Sequence, residues 1–140
     1  FWLARAVAVA LSPANGGAGL AGWMLALTAV FALLPLLPAD VEGSAPTLVG
    51  RLHMLAAIAW FAIAYSCMSG FIRFFAPSAP SGFKALLVAV SWVAAVGLVA
   101  LVSALVVRPL RPVAFGISER VFLLAVHVFY IAVAVGLVLV

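Results

Sequence analysis

The sequence is poor in charge. Only 7% of its 140 residues are charged and 69% are hydrophobic, whereas a soluble domain carries about 25% charged residues. A chain with so few polar side chains cannot cover a folded core with polar surface in water. A bilayer solvates apolar side chains instead, so the composition excludes an ordinary soluble domain and predicts a protein integral to a membrane.

Cysteine and the common catalytic signatures are also scarce. The one thiol, Cys67, lies inside an apolar run, so neither an internal disulfide nor a cysteine-based metal cluster can form. There is no phosphate-binding glycine-rich loop, no GxSxG, no CxxC and no nucleic-acid motif. The net charge of +4 comes from cations at the ends of apolar runs, where they suit anionic lipid headgroups rather than nucleic acid.

Four apolar runs are long enough to cross a bilayer. A transmembrane helix needs about 20 mainly apolar residues, and the runs cover about 20–37, 48–75, 83–107 and 117–140. They lack the alternation of strands. The sequence predicts one all-α domain over 1–140, a transmembrane helical bundle of four full spans plus a partial N-terminal helix. That partial helix is the apolar segment 1–11, which either continues a helix that begins earlier, as we expect, or lies in the interface.

Helix ends and helix contacts have their own signals. Thr47 or Ser44 is the predicted cap of the second helix, Pro109 and Pro112 are predicted to end the third, and Ser118 to cap the fourth. Trp60 is predicted to pack inside protein rather than at an interface. Small residues at four-residue spacing let helices approach closely. Two such ridges are predicted to pack, formed by Ala62, Ser66 and Gly70 and by Ala132 and Gly136.

Short connections make successive helices antiparallel, which sorts the loops onto two faces. Face A holds the turns 13–17 and 77–82, and face B holds the connections 40–47 and 108–116. The cations divide three to four between these faces, so the positive-inside rule leaves the orientation open. All three acids lie on face B, and both histidines enter the membrane from that side. We call this set the face B polar cluster: Asp40, Arg51, His53, Glu119, Arg120 and His127.

The face B polar cluster has two interpretations. Ionisable residues inside a membrane usually mark functional sites, and Arg120, His127 and Tyr130 share one helix face by their spacing. Alternatively, the acids neutralise arginines at the headgroups, and each histidine satisfies a backbone carbonyl or Ser103 without taking part in chemistry.

Three short motifs resemble a family of prokaryotic polytopic membrane proteins, domain of unknown function 998. They are LPLLPAD at 34–40, PTLVGRLH at 46–53 and GISER at 116–120. They are similar to that family's Phe-Pro-x-Asp helix ending, with leucine here in place of the phenylalanine, and to its Thr-x-x-Gly-x-x-His and Gly-x-x-x-Arg helix starts. The resemblance implies a bundle of six or seven helices in which Asp40, His53 and Arg120 are signature residues. It implies no activity.

The function that the sequence favours is a structural or accessory subunit of a membrane complex, in which the face B polar cluster locks helix ends together. A transporter or proton-relay component is one alternative. A haem or pigment protein with His53 and His127 as ligands is another. The third is a membrane hydrolase with zinc on Asp40, His53 and His127. The sequence favours a non-enzymatic role without deciding the question, and none of haem, pigment or zinc is favoured.

The expected surroundings follow from the same features. The partners are the lipid bilayer and either other membrane subunits or further helices of the same chain, with no nucleic acid. The expected location is the cytoplasmic membrane of a prokaryote.

Overall fold

The structure of the chain is a computed structural model that describes residues 18–40, 45, 47–107, 109 and 111–139. Helix α1 is Ala18–Leu33, continued by the 3-10 turn Leu34–Leu36, and α2 is Leu48–Phe75. Helix α3 is Ser81–Val106 and α4 is Arg111–Leu139. No strand occurs within the described ranges, so the predicted all-α class is confirmed. The partial helix predicted at 1–11 and the alternative cap Ser44 lie outside these residues.

Four helices in this part of the chain are long and apolar enough to cross a membrane. The qualifying segments are Gly19–Leu36, Leu48–Phe75, Ser81–Val106 and Ala114–Val138. At 1.5 Å per residue, the 28 residues of α2 extend about 42 Å, more than the hydrocarbon core of about 30 Å. The chain is therefore an integral membrane protein with the predicted transmembrane helical fold.

The fourth helix begins earlier than the sequence predicts. It starts at Arg111, so Ser118 lies inside α4, where it is buried and does not act as a cap. Pro112 explains the difference. A proline that follows a helix ends it, but the same residue suits the first turn of a new helix, where its missing N–H has no intrahelical partner to lose.

The described chain divides into two compact units, and their boundary falls between Cys67 and Met68, inside α2. In the first unit Phe31 of α1 packs on Trp60 of α2, with ring centroids 6.2 Å apart. Trp60 is buried, whereas Trp23 and Trp92 are exposed. The predicted packing role of Trp60 is therefore confirmed.

The second unit is built on close contact between α3 and α4. A Cβ added to Gly97 would lie 3.0 Å from the backbone N of Phe122, and one added to Gly136 would lie 2.5 Å from Cζ of Phe83. Residue numbers rise along α3 as they fall along α4, so the helices are antiparallel. Among the described residues of this unit, Phe75, Phe122 and Phe129 are the most completely buried aromatic side chains.

Candidate functional site

The connection from α1 to α2 is closed by a carboxylate. Asp40 accepts two hydrogen bonds from Thr47: the backbone N–H donates to Oδ2 at 3.0 Å, and the hydroxyl donates to Oδ1 at 2.6 Å. The Thr47 hydroxyl oxygen in turn accepts from the Gly50 N–H at 3.0 Å. Thr47 is therefore the N-cap of α2, as predicted, and Asp40 holds that cap in position.

Gly50 gives the Asp40 carboxylate the space it occupies. A Cβ on Gly50 would collide with Cγ and both carboxylate oxygens of Asp40. Gly50 is buried although it lies in the first turn of the helix. A side chain at this position would push the carboxylate away from Thr47, so the glycine is required by close approach.

Hydrogen bonding sets the charge state of this carboxyl. The Thr47 hydroxyl lowers the pKa of Asp40 most, and the Thr47 backbone N–H lowers it further. The positive charge of Arg51 also lowers this pKa, while desolvation opposes the shift. The ionised form accepts both bonds from Thr47, so these bonds favour the carboxylate over the protonated acid.

His53 makes the second contact across the same connection. Its Nδ1 lies 2.5 Å from the carbonyl oxygen of Leu37, just beyond the end of α1. A carbonyl only accepts, so Nδ1 is the donor, and in the neutral ring Nε2 carries the free lone pair. With Asp40, Thr47 and Gly50 this contact forms what we call the α1–α2 corner: Leu37, Asp40, Thr47, Gly50 and His53.

The other half of the face B polar cluster lies on α4. His127 is exposed near the middle of the span, and its Nδ1 lies 2.6 Å from the carbonyl oxygen of Leu123, one turn earlier. By the same argument its Nε2 is an acceptor in the neutral ring. Arg120 is exposed, Glu119 is half-buried, and the Tyr130 ring packs edge-on against Phe71 at 6.0 Å.

The members of the predicted cluster belong to two different compact units. Asp40, Arg51 and His53 belong to the unit that ends at Cys67, and the other members, Glu119, Arg120 and His127, belong to the unit that follows. Among the described residues, no group of three or more His, Cys, Asp or Glu side chains is placed to hold a metal ion. The site that the structure assembles is the α1–α2 corner.

The small-residue ridges differ in what they contact. A Cβ added to Gly136 would meet Phe83 and Phe75, and Ala132 on the same ridge is half-buried. On α2, Gly70 is half-buried, Ala62 and Ser66 are exposed, and the Ser66 hydroxyl donates to the Ala62 carbonyl at 2.8 Å. Packing along this second ridge stays a prediction.

Two contacts could not be read from residue types. The acceptor for His53 is the backbone carbonyl of Leu37, and a sequence does not show which carbonyls a chain reversal leaves open. The sequence does not identify Gly97 as a contact, although an added Cβ there would meet the backbone of Phe122. The only sequence signal for it is a lone glycine in a long apolar helix, which alone predicts no neighbour.

The α1–α2 corner explains the spacing of the motif that it contains. Thr47 caps α2, Gly50 admits the carboxylate, and His53 reaches back to α1, each three residues after the last. The resemblance to domain of unknown function 998, which is based partly on this motif, stays a prediction. No protein-family model matches the chain, and searches of the curated proteins and of the solved structures return no match.

Proposed function

We propose that the chain is a structural or accessory subunit of a membrane complex, and that the α1–α2 corner holds two of its helices in the arrangement that a partner binds. The observation that carries the proposal is the set of hydrogen bonds made by Asp40 and His53. Both groups bond to residues of their own chain at a helix boundary. Such bonds fix the register and ends of helices, even where their net stabilisation is small.

The polar side chains inside the spans support the same function. Several hydroxyls donate to a carbonyl of their own helix three or four residues earlier. These bonds satisfy the hydroxyl donors within one helix and form no hydrogen-bonded chain from one helix to another. These bonds are made by Thr28, Ser66, Ser91 and Ser103. A helix whose polar groups are satisfied internally can face lipid or a partner helix, as a supporting subunit requires.

Extraction from native membranes in a mild detergent tests the proposal. Native mass spectrometry is expected to find the chain in a stoichiometric complex with at least one other membrane protein. Thr47→Val removes the cap and one donor to Asp40, and it should reduce the yield of that complex. Thr28→Val is the matched control, because among the described residues the Thr28 hydroxyl bonds only to its own helix, at Met24. A chain that is recovered alone, and that crosslinks to no other protein in intact membranes, would contradict the proposal.

A haem or pigment protein is the second candidate, and the histidine tautomers favour it. Both His53 and His127 donate Nδ1–H to a backbone carbonyl, a second contact that typically orients a metal-binding imidazole and leaves Nε2 for the metal. An absorption spectrum of protein extracted from native membranes tests this candidate. A Soret or chlorin band that is lost in His53→Ala or His127→Ala would support it, and the absence of any such band would rule it out.

The finer location is part of the same proposal. The motifs resemble a prokaryotic family, so we place the complex in the cytoplasmic membrane of a prokaryote.

A further inference from the structure

The outer side of α4 carries a continuous apolar seam. Its members repeat at alternating spacings of four and three residues, the pattern by which one helix packs along another. All of them are exposed: Ile117, Val121, Leu124, Val128, Ile131, Val135 and Val138. An aliphatic seam of this kind is equally suited to lipid, so it does not by itself identify what covers it.

Two polar side chains along one edge of the seam favour protein over lipid as its cover. His127 precedes Val128 and Arg120 precedes Val121, and both polar residues are exposed. His127 lies near the middle of the span Ala114–Val138, and no described residue donates a hydrogen bond to its Nε2. An acceptor left unbonded in hydrocarbon is costly, and polar residues inside membranes almost always face protein or water-filled cavities.

The positions of these two groups specify what would complement them. The occupant must present a hydrogen-bond donor to Nε2 of His127 near the membrane centre. Seven residues separate His127 from Arg120, so an occupant that carries a carboxylate about 10 Å toward face B would complement the guanidinium. If a second copy of this chain were related to the first by a two-fold axis along the seam, Nε2 of His127 would face Nε2 of the other His127. Arg120 would likewise face the other Arg120, so neither group would find a complementary partner.

We infer that the α4 seam is the docking surface for one transmembrane helix of a different protein, which carries a donor opposite His127 and a carboxylate opposite Arg120. The inference rests on the proposed function and names the surface through which the complex forms. Branched aliphatic side chains of α4 give the packing area, and the two polar contacts set the register and exclude self-association.

Photo-crosslinking in native membranes tests the inference. Benzoylphenylalanine at Val128 should give one adduct with a single membrane protein whose sequence has a span bearing the donor and, about two turns from it, the carboxylate. His127→Leu should lower the yield about threefold or more, the loss expected for one interhelical hydrogen bond. His127→Gln keeps an acceptor near the Nε2 position and should restore the yield. Likewise, Arg120→Glu should lower it and Arg120→Lys should retain it.

The remaining outcomes overturn the inference. These are an adduct with a second copy, a crosslink within the same chain, no protein adduct, a partner span without donor and carboxylate, or a yield that does not respond to His127→Leu. The same photo-reactive residue at Trp23, an exposed position of α1, separates this failure from failure of the proposed function. Adducts at Trp23 but not at Val128 would leave the complex and remove the α4 seam as its interface. Adducts at neither position would count against both.

Discussion

Asp40 connects two stretches of backbone through a single side chain, and its ionisation therefore affects the folded state. Its pKa is lowered in the fold, chiefly by the two bonds from Thr47. A carboxyl whose pKa is lower in the folded than in the unfolded state contributes stability above its unfolded value of about 3.9. That contribution is lost as the pH falls from there through the folded pKa, because the protonated group no longer accepts both bonds.

The first prediction follows from that linkage. Unfolding temperature in detergent, measured from pH 6 down to about pH 3, a range chosen around the unfolded pKa, should fall more steeply for the wild type than for Asp40→Asn below about pH 4. Above that pH the variant should be the less stable protein by a constant amount. Parallel curves for the two proteins across the whole range would show that Asp40 ionisation makes no contribution.

Gly50 and Asp40 should be energetically coupled, because the Asp40 carboxylate occupies the space that a side chain on Gly50 would need. Gly50→Ala should lower the unfolding temperature by several degrees in the wild type. In an Asp40→Ala background the same change should be neutral or stabilising, because alanine favours a helix over glycine by about 1 kcal/mol. Gly22→Ala is the control, because nothing lies within 4 Å of its added Cβ. Equal effects of Gly50→Ala in both backgrounds would contradict the contact.

At the residue scale the sequence could identify participants but not their bonds. Asp40 and His53 stood out as ionisable groups next to apolar spans, and Thr47 as a cap before a helical run, and all three meet at the α1–α2 corner. The sequence does not predict the hydrogen bonds that Asp40 accepts. An acid near arginines predicts an ion pair. Here the hydrogen bonds to Asp40 come from a threonine hydroxyl and a backbone N–H, and uncharged donors of this kind leave no signal in the charge pattern of the sequence.

The α3–α4 pair shows what decides the spacing of two helices. A Cβ on Gly97 would lie 3.0 Å from N and 3.2 Å from Cα of Phe122, so it meets backbone that cannot rotate away. Around Gly136 the nearest atoms belong to the rings of Phe83 and Phe75, which are side chains and adjust more readily than backbone. The two glycines therefore differ in how much of the structure a methyl group would displace.

Substitutions at these glycines should separate the two cases. Gly97→Ala should destabilise the protein by about 1 to 3 kcal/mol, the usual cost of overpacking a core. Gly136→Ala should cost less, because side chains move more easily than a helix. Gly116→Ala, with open space around its added Cβ, should be neutral or stabilising. Thermal unfolding in one detergent ranks the three variants, and Gly97→Ala as stable as Gly116→Ala would refute the close approach.

The elements themselves were largely predictable, because lengths and apolar runs fix them. Helix α2 begins and ends where the sequence predicts, at the Thr47 cap and before the turn at Pro77. Helix α4 was misplaced at its start because Pro112 can either end one helix or open the next. Whether a proline ends one helix or begins the next depends on the backbone path on each side of it. Local amino-acid composition does not predict that path.

At the scale of the whole molecule, the sequence predicts the number of spans but leaves their orientation open. The cations divide almost evenly between the two faces, so the positive-inside rule favours neither orientation. The structure adds that α2 runs unbroken through both compact units. Its ends are therefore the best markers of the two sides of the membrane.

Cysteine labelling at those ends gives the last prediction. The native thiol Cys67 is 1% exposed and should stay unlabelled by an impermeant maleimide, so introduced cysteines can be read against a low background. Ala45→Cys before α2 and Ser78→Cys after it are both at exposed positions. Because α2 is longer than the hydrocarbon core is thick, one of the two should react in intact cells and the other only after the membrane is opened. The one that reacts first fixes the orientation that charge counting leaves undecided. Reaction of both from the same side would mean that α2 does not cross the membrane, and the four-span topology would then be wrong.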